Sequence, residues 1–350
     1  MQLKFDREEL LSEDQYARPQ IEAERRLHGG FDADGHYISP RMRKRAPALA
    51  AWTEALRARG GDLMDTDSSL LAGIRYPNAA QSKLLLQEGL GQTFWNMLTI
   101  TGHIEARGRV LAEMQFPDFQ KAVEADIGET ALGHLHKGLL EAHGLDEGGQ
   151  PDKEIGGHDA MWFALRDLAF GDVAYPEPEV PENIARPESE EPATPPIEPA
   201  FAQVIYFLLN LLLIEFRAER SFALSQALLL DPELFPDRRA EAEHAAVLVD
   251  RIRQDETVHV ESLRLYLGEI RHLELKSPGG GRVSGREFVD DFWQSLIVWA
   301  TEEQPRLVAE QQRTLMRERI AQHPEAERVQ RAFDALEEAD GPASASAASG

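Results

Sequence analysis

The sequence predicts an all-α protein, and three observations carry that expectation. Leu, Phe, Trp, Met and Ile recur at helical spacing from Ala79 to His143 and again from Phe201 to Leu273. Almost no segment alternates apolar and polar residues with the period of two that a half-buried strand requires. The longest apolar run, Val204 to Ile214, is interrupted by Asn210 and falls short of the about 20 apolar residues that a membrane helix needs, so it reads as a deeply buried helix.

Bulk properties agree with a globular chain and narrow its partners. The 350 residues are 42% hydrophobic and 28% charged, enough to bury one large core or two modest ones. With 37 basic and 61 acidic residues the net charge is −24, which repels nucleic acid and anionic membrane surfaces alike. The absence of cysteine excludes disulfides, zinc-thiolate sites and a thiol nucleophile, leaving carboxylate and imidazole as metal ligands. The amino end, "MQLKFDREELLSEDQ", lacks the apolar core of a signal peptide, and a cytoplasmic location is expected.

In chain order, residues 1–78 read as an irregular cap with turn signals such as "HGGFDADGHYISPR". Asp32 and Asp34 lack the further acids and closing Glu of a calcium loop and read as a plain turn. Residues 79–175 are expected to form a first helical hairpin plus a short helix. The hairpin breaks at "FPDF", where Pro117 opens the second helix, and a Gly-rich break spans Gly144 to Gly157. In "HDAMWFALRDLAFG", His158 and Asp159 would suit an acid/base pair. The favoured reading makes Asp159 a helix cap, with Met161, Trp162 and Leu165 packed inward. Residues 176–200, with eight prolines and many glutamates, form a flexible or surface-hugging linker. A second hairpin occupies 201–275, C-terminal helices 276–338 and a disordered tail 339–350.

The chemistry concentrates in "QDETVHVE", residues 254–261. On a helix Glu256 and His259 share a face, with Asp255 near it. Two such Glu-x-x-His units, each partnered by a single Glu from an adjacent helix, hold two metal ions in some four-helix bundles. The preceding helix offers Glu215 after its apolar run, with Glu219 as competitor one turn on. A buried acid costs several kcal/mol unless compensated, and Glu215 is preferred because the apolar run flanks it. In the first hairpin Glu105 and Glu129 lie twelve residues either side of Pro117, so an antiparallel pair hinged there brings them to one height. Leu132 stands where a second Glu-x-x-His would put histidine. His134 reaches the face of Glu129 only through a π-turn; His136 shares that face but lies about 10 Å along the axis. His134 is preferred.

The segments "IEFRAERSFALSQALL" and "QDETVHVESLRLYL" resemble the rubrerythrin and ferritin-like diiron carboxylate superfamily, and "DETVH" is similar to the DExxH segment of acyl-carrier desaturases and ribonucleotide reductase small subunits. The likeness covers residues 84–143 and 201–273. It implies a ferritin-like four-helix bundle of two hairpins, decorated by N- and C-terminal helices, holding two iron ions, or manganese, on Glu105, Glu129, His134, Glu215, Glu256 and His259. Glu129 would bridge, and Asp255 would orient an imidazole. It further implies dioxygen and a small organic substrate as partners, as in an oxygenase, desaturase or oxidase, and admits an external electron donor and a homodimer. The competing reading is a metal-free helical scaffold, for which a missing histidine in the first hairpin would be the mark.

Overall fold

The computed structural model describes residues 5–12, 19–72, 75–135, 138–173, 175–187 and 196–339. His136, linker residues 188–195 and the tail from 340 lie outside them. The fold is all-α, with three short antiparallel strand pairs as its only sheet among the described residues. Helix α1 (Arg7–Leu11) precedes the pairs β1 (Gln20–Glu22) with β2 (Arg25–Leu27) and β3 (Gly30–Phe31) with β4 (Tyr37–Ile38). Then come α2 (Met42–Ala58), α3 (Ala79–Gln87), α4 (Gln92–Gly108), α5 (Leu139–Gly148) and α6 (His158–Phe170). The long helices α7 (Pro199–Leu230) and α8 (Arg239–Arg271) follow, then the pair β5 (Glu274–Lys276) with β6 (Arg282–Ser284). The chain continues through α9 (Gly285–Val298), a π-turn at Trp299–Glu303, α10 (Gln304–Ile320) and α11 (Ala326–Ala339).

The pair α7 and α8 forms the expected second hairpin. Pro199 starts α7 at its first turn, where a missing N–H is harmless. Most of α7 is apolar on every side, and it is the one helix among the described residues long and apolar enough to cross a membrane; 67% of that stretch is buried inside the fold. Two apolar clusters share these helices. The first gathers Ile205, Leu209 and Phe216 of α7, Tyr266 and Ile270 of α8, Trp52 of α2 and Phe292 of α9. The second gathers Phe222 and Leu229 of α7, Leu248 and Ile252 of α8, Leu98 of α4 and Trp162 of α6. Each fully buried large side chain contributes about 1.5–3 kcal/mol. Between the clusters, near Glu215 and Glu256, lies a polar seam.

The first hairpin departs from expectation. Helix α4 ends at Gly108, and Pro117 opens no helix; residues 113–135 run through turns and short 3-10 segments at Phe119–Ala122 and Leu132–His134. Asp118 and Asp126 side chains accept from Gln120 N–H and Gly128 N–H, supporting turns instead. Phe119, Val123, Ile127, Leu132 and Leu135 are nonetheless buried, so a loop packed on the core imitates a helical apolar spacing. The returning helix is α5, which begins in the last residues of the expected hairpin and runs on into the stretch that reads as a Gly-rich break. A Cβ on Gly144 would stand 2.4 Å from Ala112 N, and one on Gly148 would stand 2.5 Å from Arg109 Cβ. These glycines let α5 lie against the end of α4. The cap likewise contains the 17-residue α2, whose Trp52 is core.

Candidate metal centre

Five helices turn donor groups into the seam between the two apolar clusters. Glu105 comes from the end of α4, His143 and Glu147 from α5, and His158 is the first residue of α6. Glu215 comes from mid-α7, and Glu256 with His259 from α8. None of the seven is more than 6% exposed. Helix geometry makes the local pairs, since residues three or four apart share a face.

The donors form two overlapping groups. His143, Glu147, Glu215 and His259 offer atoms within 4.8 Å of one another, as do Glu105, Glu147, His158 and Glu256. Glu147 belongs to both. His143 Nε2 lies 3.0 Å from Glu215 Oε1 and 3.2 Å from Glu147 Oε1. His259 Nδ1 lies 2.7 Å from Glu256 Oε2 and 3.3 Å from Glu147 Oε1. His158 Nδ1 stands 3.2 Å from Glu256 Oε1 and 3.7 Å from both Glu105 Oε2 and Glu147 Oε1. Donors about 2.1 Å from a common ion stand roughly 3.0–3.5 Å from each other, so the set has the spacing of ligands around two centres.

Electrostatics shows what such a cluster requires. Removing one ionised carboxylate from water costs several kcal/mol. Burial pushes Glu105 well above the usual carboxylate range, and neighbouring Glu147 adds to the push. Burial and then Glu256 push Glu215 up to about 7. Burial also opposes the charge on Glu147, but hydrogen bonds from Glu105 and three imidazoles hold it well below its ordinary value. Against burial and Glu147, the imidazoles of His259 and His158 hold Glu256 at about 2. Those two imidazoles are raised despite burial by the carboxylates around them. The cluster therefore balances its negative charge with protons, in positions that divalent cations would take with proton release.

The outward nitrogens are fixed by two buried aspartates. Asp146 Oδ2 lies 3.2 Å from His259 Nε2, and Asp146 is itself clamped by Arg41 and by Arg45 Nη1 at 2.6 Å. Burial opposes its charge, yet the two guanidinium groups hold it well below the usual range. Asp255 Oδ2 lies 3.1 Å from His158 Nε2 and from His28 Nε2, and accepts from Tyr37 Oη at 3.0 Å. Both imidazoles thus present Nδ1 inward, the arrangement that outer carboxylates impose on metal-bound histidine. His158 Nδ1 is buried and faces Glu256, Glu105 and Glu147 at 3.2–3.7 Å without a well-aligned hydrogen bond to any of them, as a nitrogen sharing a cation with those carboxylates would be. Four carboxylates and three imidazoles, with no sulfur, suit iron, manganese or zinc.

Of the residues singled out from sequence, Glu105, Glu215, Glu256 and His259 come together here. Glu129 does not: it is exposed in a turn, because no helix follows Pro117. His134 sits in a 3-10 segment stacked on Trp52, ring centroids 5.6 Å apart, with no π-turn to redirect it. Glu219 is half-buried and paired with Arg253 Nη2 at 2.6 Å. Asp255 supports an imidazole, though that of His158, not His259. Asp32 accepts from the N–H groups of Asp34 and His36 in the turn between β3 and β4.

His143, Glu147 and Asp146 lie in the segment that reads as the hairpin's end and a Gly-rich break, and the reversed His-x-x-x-Glu order hid them. The signal available was their i,i+4 spacing. In place of a side-chain cap α6 begins after Gly157, whose N–H donates to Asp159, and His158 is drawn into the cluster.

A cavity of about 330 Å³ adjoins the donors. Glu105, His143, Glu147 and Glu215 line one side, Val110, Leu211 and Ile214 another, and Glu182 to Ile184 of the linker close it. Arg107 donates to Pro181 O, and Arg217 Nη1 donates to Ile184 O at 3.1 Å, strapping the linker down. No protein-family model, curated protein or solved structure matches the chain.

Proposed function

We propose that this chain is a ferritin-like dimetal carboxylate protein that holds two iron ions and uses dioxygen to oxidise a small organic substrate. The observation that carries the reading is Glu147, a buried carboxylate common to two ligand groups. The order of donors supports it: one Glu from α4, a His with a Glu from α5, one Glu from α7 and a Glu-x-x-His from α8 follow the alternation of dimetal bundles. The first hairpin's pair is reversed, and His158 is an addition. The scaffold reading rests on a missing histidine in the first hairpin, and His143 of α5 and His158 of α6 offer imidazoles at positions other than the one that a Glu-x-x-His spacing from Glu129 points to.

When bound, the metal pair would supply the one-electron chemistry that dioxygen requires. Glu105, Glu147, Glu215, Glu256, His143, His158 and His259 would hold it, and Asp146 and Asp255 keep the imidazole N–H groups turned outward. The apolar walls beside Glu215 exclude water and favour an apolar substrate segment, while Arg107 and Arg217 keep the linker closed over it.

The test is metal content. Protein purified after growth with added iron should hold about two irons per chain, and Glu256→Ala and Glu147→Ala should lose them while keeping a helical circular-dichroism spectrum. A protein that refuses ferrous iron under anaerobic conditions, or a Glu147→Ala variant with unaltered metal, would sink the reading.

A further inference from the structure

A second cavity, about 440 Å³, is lined by α3, α4, α7 and α10. Its size is that of small-molecule sites. Leu86, Phe94, Met97, Ile100, Leu228 and Met316 make its walls mainly apolar, and Ile104, next to Glu105, lines both this cavity and the one beside the metal ligands.

Two guanidinium groups also line it. Arg319 Nη1 is buried without a hydrogen-bond partner. Among the described residues Arg75 donates only to neutral atoms, Ser221 Oγ at 3.3 Å and Met97 Sδ at 2.7 Å. No carboxylate of the described residues contributes to the electrostatic environment of either. Arg75 further lines an adjoining polar cavity with Arg217 and Arg220. In a chain of net charge −24, acids are abundant enough to pair every arginine, yet no described acid pairs with these two. Arg319 Nη1, desolvated and lacking a partner, carries a cost that is greater for a charged donor than for a neutral one, and the exposed Arg75 adds its charge to the same lining. An anionic ligand would recover that cost.

We infer that this chamber binds an amphipathic anion: a small molecule with a medium-length apolar chain and a terminal carboxylate or phosphate. The chain packs against the Leu, Met and Phe walls and the head engages Arg319 and Arg75. Binding does not rest on the dimetal reading; only the further step, that the shared wall at Ile104 delivers such a molecule to the metals as substrate, rests on it.

Calorimetric titration of the full-length protein as purified, with iron counted separately on the same sample, tests this. Sodium decanoate, decyl phosphate, 1-decanol and decyltrimethylammonium are compared. At least one anion should bind at a single saturable site tenfold or more tighter than the alcohol, with no binding of the ammonium. The tighter of the two anions identifies the head group. Arg319→Gln should weaken the anion tenfold or more and leave the alcohol unchanged, and Met97→Trp should block all binding by filling the chamber. Absence of saturable anion binding, equal binding of decanol, or anion affinity unchanged in Arg319→Gln would overturn the proposal. The wild-type ligand series decides even where a variant fails to fold, and its failure leaves the metal count standing on its own.

Discussion

Asp255 offers no atom to the two donor groups that share Glu147, yet it determines which nitrogen of His158 does. Its Oδ2 lies 3.1 Å from His158 Nε2, so Asp255→Asn disturbs tautomer and ring orientation together. Loss of such an outer partner lowers metal affinity about 10–100-fold. A chelator competition should show that weakening with the fold intact; an unchanged affinity would mean that α6 packing alone orients the ring. Exposed Glu129, by contrast, should be replaceable by Ala with no change in metal content. At this scale the sequence was readable where the relation is local. Glu256 and His259 meet through helix geometry alone, and Glu215 betrays itself by interrupting an apolar stripe. Asp255 stands between two helices and a hairpin strand, contacting His28 and Tyr37 more than 200 residues away, and no spacing along the chain encodes that.

Helix α5 owes its position to glycine. A Cβ at Gly144 would meet Ala112 N at 2.4 Å and Ala112 Cβ at 3.0 Å, and a backbone atom cannot swing aside as a side chain can. Gly144→Ala should therefore cost about 1–3 kcal/mol, read by urea unfolding, and should release metal because His143 and Glu147 shift with the helix. Retained metal at wild-type stoichiometry would show that α5 tolerates the displacement. Glycines that look like a break from sequence are here the condition for close packing, whereas the loop before α5 looks helical because its apolar side chains fill the core. That loop is pinned to α8 by Glu269, whose carboxylate accepts from Leu132 N–H at 2.7 Å and Ala131 N–H at 3.3 Å. Burial raises Glu269 from 4.5 to about 7, against the backbone donors and Arg59. A carboxyl raised in the folded state contributes stability below its unfolded value that is lost as pH climbs through the folded one. The rise corresponds to ~3 kcal/mol. Between pH 4.5 and 8 the wild type should lose about that much stability relative to Glu269→Gln, measured by urea unfolding at both pH values. Parallel profiles for the two proteins would rule out this role.

At the scale of the whole molecule, α7 and α8 run through both apolar clusters, and the donor cluster lies where the two meet. Neither half can unfold without fraying helices that the other half needs, so the chain should melt in one transition by calorimetry. A metal ion held at the seam would touch α4, α5, α6, α7 and α8 together and would bind only the native state. Free ferrous or manganous ion at about 100 times its dissociation constant adds about 2.7 kcal/mol per independent site. The single transition should accordingly move upward as a unit when metal is added anaerobically, and return when chelator removes it. Two transitions, with only one responding to metal, would show that the clusters fold separately and that the cluster of carboxylates and imidazoles belongs to one of them.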